Sequence, residues 1–512
     1  MIFLNRKALA FVAALLASGA VSAGLAAQDR TEMRVSLPFS ASSIDPNEGG
    51  WLMHGVGVAE LLMRFEEDGQ FHPWLLESLE SVDDLTWRMR LRPDVTFQNG
   101  KPVDAEAVVA AITYQLEHSP AARAEIPEGA RFTVTDPLEI LFETEGPFGS
   151  LPGVLAHRLM FPIFDAEGLD AALAEGGDLI GAGIYTGPYA VDSLDSQALT
   201  AVRYDDYWQG VPAMEALRVT FVPNINASIL AVENGELDVA FWMPGVVRNL
   251  VEVTPGIHYI TTTGTDSYLA YLNVTRPPFD DVDVRRAFML GLDYESLANE
   301  ALDGTARPAT SFYLPLFPFA VHNQHTDRAE AARLLDAAGW QPGPNGIRVK
   351  DGQPLQIDVI YNSAIGDLVP LSGGVQFQLR DLGFDLRMVP VEDGYAGYTQ
   401  YEWNAGFNSD ATWGSGLPES FLNRYLTPAG DRNFTGYENA EISEIAATLP
   451  SIVDPEERNA LLARAQEILI EEDPAIFLLA FYDQGAVVSD AYSEFDMGFA
   501  LAFIDWQSGP NR

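Results

Sequence analysis

The segment from Tyr271 to Leu297 constrains the fold more than any other part of the chain. It reads YLNVTRPPFDDVDVRRAFMLGLDYESL, a strand that ends near Asn273, a Pro-Pro-Phe turn, and a helix opened by an Arg-Arg pair. Strand and helix patterns alternate along the rest of the chain, and the 43 glycines and 32 prolines fall mostly between them. This alternation favours an α/β fold, and the length of 512 residues predicts two to four domains.

The N-terminal residues have the composition of a secretory signal peptide. Asn5-Arg6-Lys7 is basic, an apolar run extends from Ala8 to Ala17, and Val21-Ser22-Ala23 offers a cleavage site, with Ala27 as a second candidate. The apolar run is shorter than the roughly 20 residues that span a bilayer, although a retained anchor is the alternative. We therefore expect residues 1–27 to be removed and the mature protein to be exported and soluble.

The absence of cysteine and the excess of acidic residues exclude several functions. Without cysteine there is no lipobox, no cysteine zinc site, no iron–sulfur cluster and no thiol catalysis. The net charge of −43 repels phosphate backbones and anionic lipids, so we expect no nucleic-acid partner. The acids are scattered along the chain, which is typical of a solvated acidic surface. Attraction of a cationic ligand is the alternative.

Common enzyme motifs are missing from the sequence. It has no phosphate-binding Gly-Lys-Ser/Thr loop, no His-Glu-x-x-His and no Gly-x-Ser-x-Gly elbow. His322 and His325 lie close together near Asp327 and are a candidate metal pair, but this spacing in a polar loop is more often solvated surface. We expect no catalysis, no metal site and no cofactor. A secreted hydrolase on a similar scaffold is the distant alternative.

Aromatic residues crowd one segment beside three glycines. They are Tyr395, Tyr398, Tyr401, Trp403, Phe407 and Trp413, with Gly406, Gly414 and Gly416. Flat side chains beside glycines suit a cleft that closes on a small ligand. The alternative for each of them is an ordinary place in the hydrophobic core, and it is weakest for Trp413, which has a loop-like context.

The sequence resembles one bacterial family along nearly its whole mature length. The matching segments are, in the family's order, Ile44-Asp45-Pro46, Ala59–Leu75, Trp87–Val109, Thr186–Tyr189, Tyr207–Pro212, Asn234–Asp238, Tyr271–Leu297, Ala329–Trp340 and Asp351–Leu355. The family is the peptide/nickel class of periplasmic solute-binding proteins (solute-binding protein family 5), which deliver ligands to ABC importers. Each match is weak alone, but together and in order they are specific.

The resemblance implies an α/β fold of the type II periplasmic binding protein class, with two lobes, a hinge, an inter-lobe ligand cleft and an extra domain. It places residues 28–50, 181–265 and 480–512 in lobe I, 51–180 in the extra domain and 266–479 in lobe II. The implied function is capture of short peptides in the periplasm. The expected partners are the ligand and the permease subunits of an ABC transporter at the inner membrane, with the binding protein itself a monomer.

The resemblance also suggests residues for a peptide ligand. Trp413 and Gly414 match the Trp-Gly of a loop that, in peptide-binding members, carries an Asp for the α-ammonium of the ligand. Residues 415–417 replace that acidic stretch here, so Asp410 or Glu419 is expected to substitute for it.

A metal–chelate complex or another carboxylate-bearing solute is the alternative ligand. Arg158 is the nearest match to an Arg that grips a chelator carboxylate in the nickel-binding member, and Tyr398 fits a Tyr that lines its cleft. Tyr401 and Trp403 complete the predicted ligand-binding set. The metal-contacting His of that member has no counterpart between residues 427 and 431.

Overall fold

The computed structural model describes residues 31–158, 160–174, 176, 179–413, 416–499 and 503–511. The predicted signal peptide and its cleavage sites therefore lie outside the described residues, and so does Gly414. The first strands are β1 (Glu32–Leu37), β2 (Met63–Phe65), β3 (Phe71–Pro73), β4 (Leu76–Asp83), β5 (Thr86–Leu91), β6 (Arg131–Asp136), β7 (Glu139–Glu143), β8 (Tyr189–Leu194), β9 (Ala198–Arg203) and β10 (Ala216–Phe221). The later strands are β11 (Val239–Phe241), β12 (Ile257–Leu272), β13 (Ala306–Pro308), β14 (Gln341–Pro342), β15 (Arg348–Lys350), β16 (Gln353–Pro354), β17 (Gln356–Asn362), β18 (Asp385–Val391), β19 (Ala405–Asp410) and β20 (Ile476–Ser489).

The helices lie between these strands and are short. They are α1 (Pro46–Gly55), α2 (Ala105–His118), α3 (Pro120–Ala124), α4 (Leu151–Leu155), α5 (Ala166–Ala174), α6 (Ile225–Glu233), α7 (Arg248–Glu252), α8 (Val282–Leu290), α9 (Tyr294–Ser296), α10 (Arg328–Ala337), α11 (Leu368–Arg380), α12 (Gly394–Gln400), α13 (Pro418–Leu426), α14 (Ala440–Thr448) and α15 (Pro455–Glu467). Single 3₁₀ turns lie at Gly245–Val247, Pro344–Gly346, Leu449–Ser451 and Asp490–Tyr492, and π turns at Leu297–Ala301 and Ile468–Glu472. In the part of the chain that the structure describes, no helix has the length and apolar content needed to cross a bilayer.

One mixed sheet of eleven strands runs through both lobes. Its order is β18-β17-β19-β12-β20-β11-β1-β10-β9-β8, and β13 pairs with β20 in addition. The strands β12 and β20, of 16 and 14 residues, are antiparallel neighbours at the centre of this order. Their register shifts between Thr263 and Ser267, an irregularity that bends and twists paired strands. We call β12 and β20 the crossover strands, because they are the sheet strands that the two lobes share.

The three largest hydrophobic cores of the described residues follow this division. Strands β8 to β11 with β1 enclose one core and β17 to β19 enclose the largest one, on either side of the crossover strands. A third core, built around Trp87, Phe97 and Phe142, belongs to a separate four-stranded sheet with the order β4-β5-β7-β6. The two-lobe α/β fold expected from the sequence is therefore confirmed.

In the sequence, Asp104 and Asp454 each precede a helical pattern, and residues 51–64 also have a helical pattern. The structure confirms the two helix starts and contradicts the extent of the third helix. The carboxylate of Asp104 accepts from the amide of Ala107 at 2.9 Å at the start of α2, and Asp454 caps α15 in the same way. A helix over residues 51–64 was the prediction, but α1 ends at Gly55. The chain turns at Gly57, which has a φ of 72°, and then enters β2.

Candidate functional site

A cavity of about 500 Å³ opens between the lobes. Its wall includes Arg64 and Arg158 from the region of the third core, Trp413 from the loop before α13, and residues from Glu494 to Asn511 near the C-terminus. Small-molecule sites commonly enclose roughly 300–1,000 Å³. The cavity therefore has the size and the inter-lobe position of a ligand site.

Trp413 forms a fixed wall of this cavity. Its side chain is only 1% exposed, and its Nε1 donates a hydrogen bond of 2.9 Å to the carbonyl of Thr265 on crossover strand β12. Its ring lies 4.6 Å from that of Phe65 and 5.6 Å from that of Phe317, centroid to centroid. Thr265 lies within the register shift of the crossover strands. The aromatic wall of the cavity is thus tied to the strands that join the lobes.

Arg158 presents a guanidinium with incomplete pairing to the same cavity. It follows α4, it is half-buried, and no described residue accepts a hydrogen bond from its buried Nε. Burial lowers the pKa of Arg158, and the charge of Asp266 offsets this lowering in part. A buried charge without full pairing costs free energy, so this guanidinium favours an incoming anion.

Arg64, on β2, is a second cation in the cavity that the sequence had not indicated as a site residue. It is half-buried, and its guanidinium carbon lies 3.7 Å from the ring centroid of Trp74. Within the described residues it forms no ion pair and no hydrogen bond. The signal in the sequence was weak, a single charge after the apolar run Leu61-Leu62-Met63.

The imidazole of His54 lies close enough to both arginines for their charges to lower its pKa. It lines the cavity from α1, and its pKa is lowered to about 3, first by burial and then by the charges of Arg64 and Arg158. The ring is therefore neutral at ordinary pH, and its buried Nδ1 has no hydrogen-bond partner among the described residues. Over the same part of the chain, no three His, Asp or Glu side chains are close enough to hold a metal ion together.

Acidic residues line the outer part of the cavity. Glu494, Asp496 and Asp505 are exposed, and Glu66 is half-buried. None of them forms an ion pair with either arginine in the structure. The exposed part of the cavity wall is therefore acidic, whereas both arginines lie at half-buried positions.

The other aromatic residues of the predicted set do not line this cavity. Tyr398 and Trp403 are buried in the largest core, where the Nε1 of Trp403 donates a hydrogen bond of 3.0 Å to the carbonyl of Tyr398. Tyr401 ends the same turn with its side chain 48% exposed. Tyr398 is therefore on the side of α12 that packs into the lobe interior, whereas Tyr401, at the end of the helix, is exposed to solvent.

The two carboxylates considered for a ligand ammonium already have partners. Asp410 accepts hydrogen bonds from the hydroxyls of Tyr395, at 2.6 Å, and Tyr425. Glu419 is buried and pairs with Arg458 at 2.5 Å. Neither lines the cavity, and the exposed acids at its rim, which were not predicted, lie there instead.

The histidine pair considered for a metal lies elsewhere. His322 and His325 line a shallow surface pocket of about 410 Å³ with Arg286 and Glu330. The Nδ1 of His322 is 3.1 Å from the hydroxyl of Thr310, a hydrogen-bonding distance. As noted above, the described residues include no metal-binding cluster here.

Comparison with known proteins places this architecture among bacterial binding proteins. Residues 70–433 match the family model described as bacterial extracellular solute-binding proteins, family 5 (middle). The nickel-binding periplasmic protein of Escherichia coli (strain K12) is 27% identical over 503 residues, 93% of each chain. The glutathione-binding protein GsiB of Salmonella paratyphi A (strain ATCC 9150 / SARB42) is 26% identical over 514 residues, again 93% of each chain.

The fold is also similar to solved structures. That of NikA from Brucella suis in complex with Fe(III)-EDTA has a TM-score of 0.81 at 24% identity and covers 94% of this chain and 100% of its own. That of a nickel ABC transporter protein from Bacillus halodurans has a TM-score of 0.75 at 25% identity, covering 93% and 99%.

Proposed function

This chain belongs to the bacterial extracellular solute-binding proteins of family 5, and on that premise we propose that it captures short peptides in the inter-lobe cavity. Members of the family supply ligands to ABC importers, and this chain is such a solute-binding subunit. Its partners are accordingly the ligand and the membrane components of the transporter. We propose further that it acts as a monomer and releases its ligand chemically unchanged.

The incompletely paired guanidinium of Arg158, whose buried Nε has no acceptor among the described residues, is the observation that carries the proposal. The terminal carboxylate of a peptide supplies the two acceptor oxygens that a planar guanidinium binds in parallel. Trp413 offers an apolar wall for a neighbouring side chain. The exposed acids Glu494, Asp496 and Asp505 are suitable partners for the peptide ammonium at the rim.

Closure of the lobes around the crossover strands provides the mechanism. A ligand that contacts Arg158 on one side and Trp413 on the other stabilises the closed arrangement by its differential affinity for it. In this proposal residues 266–479 move as lobe II, and residues 51–180 form the extra domain. The closed form is then the one that docks on the permease.

The proposal is tested by isothermal titration with three matched ligands, Ala-Phe, its C-terminal amide and its N-acetyl derivative. Loss of a charge-assisted contact costs roughly 1.5–3 kcal/mol, so each modified ligand is expected to bind at least about tenfold more weakly. Native mass spectrometry of the protein as purified supplies a second readout, a co-purified small molecule. Equal affinity for the peptide and its amide contradicts the role of Arg158.

A metal–chelate complex is the second candidate ligand. The neutral ring of His54, with an unpartnered Nδ1 beside two arginines, is the observation in its favour, together with the nickel-binding relatives. Because the described residues offer no complete ligand set, the chelator would supply the remaining donors and the carboxylates. Titration with nickel–histidine, in competition with Ala-Phe, distinguishes the candidates: only one of them displaces the other at micromolar concentration.

Export through the signal peptide completes the proposal. The basic, apolar and small-residue order of residues 1–27 supports cleavage after Ala23 or Ala27 and release into the periplasm. N-terminal sequencing of protein from a periplasmic fraction should begin at Gly24 or Gln28. Intact Met1 in the cytoplasmic fraction would contradict export.

A further inference from the structure

We infer that the cavity prefers ligands with a second carboxylate and that Arg64 binds it. This inference rests on the proposed peptide binding and names the class of peptide: short and acidic. It assigns specificity to a residue that the sequence did not single out and that forms no ion pair among the described residues, although its charge acts on the nearby buried carboxylate of Glu60.

Arg64 forms neither an ion pair nor a hydrogen bond among the described residues. The sequence has 73 acidic residues for 30 basic ones, and several buried or half-buried arginines pair with carboxylates. Arg92 and Arg328, which are also half-buried, donate hydrogen bonds to backbone carbonyls instead. Arg34 pairs with Asp238 at 2.8 Å, and Arg458 pairs with Glu419 at 2.5 Å. A partly desolvated arginine left without an anion in so acidic a chain is best explained by an anion that arrives with the ligand.

A supporting layer of side chains holds Arg64 in place. Its guanidinium stacks on Trp74, whose Nε1 donates a hydrogen bond of 2.7 Å to the buried carboxylate of Glu60. Glu60 also accepts hydrogen bonds from the hydroxyl of Tyr207, at 2.7 Å, and from the indole of Trp208, at 3.3 Å. These hydrogen bonds fix Trp74 beside Arg64. The charge of Arg64 acts on Glu60, but the two side chains form no direct ion pair, so the guanidinium is held in place with its hydrogen-bond donors available to a ligand.

The two arginines share one electrostatic environment. Both lower the proton affinity of the same ring, that of His54, and both line the same cavity. Two like charges in a partly desolvated site repel each other, and Asp266 offsets the burial of Arg158 only in part. A single ligand carboxylate at Arg158 leaves Arg64 without an ion-pair partner. A ligand with two carboxylates compensates both, which favours an acidic dipeptide over its neutral analogue.

The test compares Ala-Glu with Ala-Gln, which differ only by a carboxylate in place of an amide. Isothermal titration of the wild-type protein should give an affinity for Ala-Glu at least about tenfold higher, the usual worth of one charge-assisted contact. In Arg64→Met the preference should vanish, with affinity for Ala-Gln changed by no more than about threefold. Arg131→Met, at an exposed arginine of β6 outside the cavity, is the matched control and should keep the preference.

The possible outcomes distinguish failure of this inference from failure of the proposed peptide-binding function. Equal binding of both peptides by the wild-type protein overturns the inference and leaves peptide binding intact. A preference for Ala-Glu that persists in Arg64→Met overturns the assignment to Arg64. Failure of both peptides to bind overturns the proposed function and the inference with it. Melting curves verify folding, and Arg64→Gln, which keeps a polar head without charge, carries the same expectation if the methionine variant does not fold.

Discussion

Gly153 packs so closely on the main chain of Gly416 that a β-carbon at Gly153 would lie 2.3 Å from the carbonyl oxygen of Gly416. Gly153 is in α4, just before Arg158, and Gly416 belongs to the loop that carries Trp413, donating a hydrogen bond of 3.1 Å to its carbonyl. The two sides of the cavity therefore meet through backbone contact. No side chain larger than hydrogen fits at this point without movement of one loop.

The first prediction concerns this contact. Gly153→Ala should separate the loops of Arg158 and Trp413, weaken binding of Ala-Phe and lower the unfolding free energy by about 1–3 kcal/mol, as overpacking does. Gly146→Ala is the control, because a β-carbon there meets no atom within 4 Å. Titration and denaturant unfolding of both variants provide the measurement, and equal behaviour of the two would show that the contact is dispensable.

The second prediction separates binding from stability at Arg158. Burial disfavours the charge of Arg158, and its removal deprives Asp266 of a neighbouring charge, so the two effects on the ligand-free protein oppose each other. Arg158→Met should therefore change the unfolding free energy much less than Arg458→Met does, yet it should weaken peptide binding by at least about tenfold. Arg458→Met is expected to do the opposite. It leaves the buried carboxylate of Glu419 unpaired and should cost about 3–5 kcal/mol of stability.

A lower melting temperature with normal binding in Arg158→Met would identify that arginine as structural. Arg158→Lys extends the comparison, because an ammonium cannot reproduce a two-pronged contact with a carboxylate. Wild-type affinity in that variant would argue against the bidentate geometry.

The third prediction uses Trp413 as a fluorescent reporter. Ligand binding should change the tryptophan emission of the wild-type protein, and Trp413→Phe should remove most of that change. Trp403→Phe, at a tryptophan that is equally buried but lies outside the cavity wall, should retain it. Trp413→Ala suits the experiment less well, because truncation of so buried a ring costs about 3–5 kcal/mol.

The fourth prediction concerns acid stability and His54. Its pKa is lowered to about 3 in the folded protein, mainly by burial, whereas the unfolded chain takes up the proton at the ordinary value of 6.5. The folded state therefore loses stability as the pH falls below 6.5, by about 2 kcal/mol at pH 5 from this residue alone.

His54→Gln should accordingly lose less unfolding free energy between pH 7 and pH 5 than the wild-type protein in denaturant titrations. The loss should not disappear, because burial also lowers the pKa of His157, to about 4. His118→Gln, at an exposed position, is the control and should follow the wild type. An unchanged loss in His54→Gln would show that its ring is accessible to protons in the folded state.

Local signals predicted much of the fold. Asp104 and Asp454 precede helices in the sequence and cap them in the structure, because an N-cap is decided by a side chain and the amides next to it. The end of α1 was not predicted, since it depends on Gly57, which packs against the carbonyl of Ile504 far along the chain. Contacts of that kind leave no trace in a local pattern.

The site was predictable only in part for the same reason. Arg158 and Trp413 were expected from the resemblance, and both line the cavity. Arg64 was missed because its role depends on the stacking with Trp74 and on the absence of a direct ion pair among the described residues, which are properties of the folded chain. Conversely, aromatic residues beside glycines predicted that Tyr398 and Trp403 line the cleft, but the same composition is found in a packed lobe interior. Composition alone therefore does not distinguish a cleft residue from a core residue.

The arrangement of charge around the cavity has a kinetic consequence. An anionic solute must cross the negative field of Asp496 and Asp505, and of a surface with a net charge of −43, before it meets the arginines inside. Added salt screens that field over roughly 10 Å at 0.1 M, so the association rate of a dicarboxylate rises with ionic strength while the inner contacts are screened less. We therefore expect this protein to capture a dicarboxylate faster at high than at low ionic strength, whereas association of oppositely charged partners usually slows as salt is added.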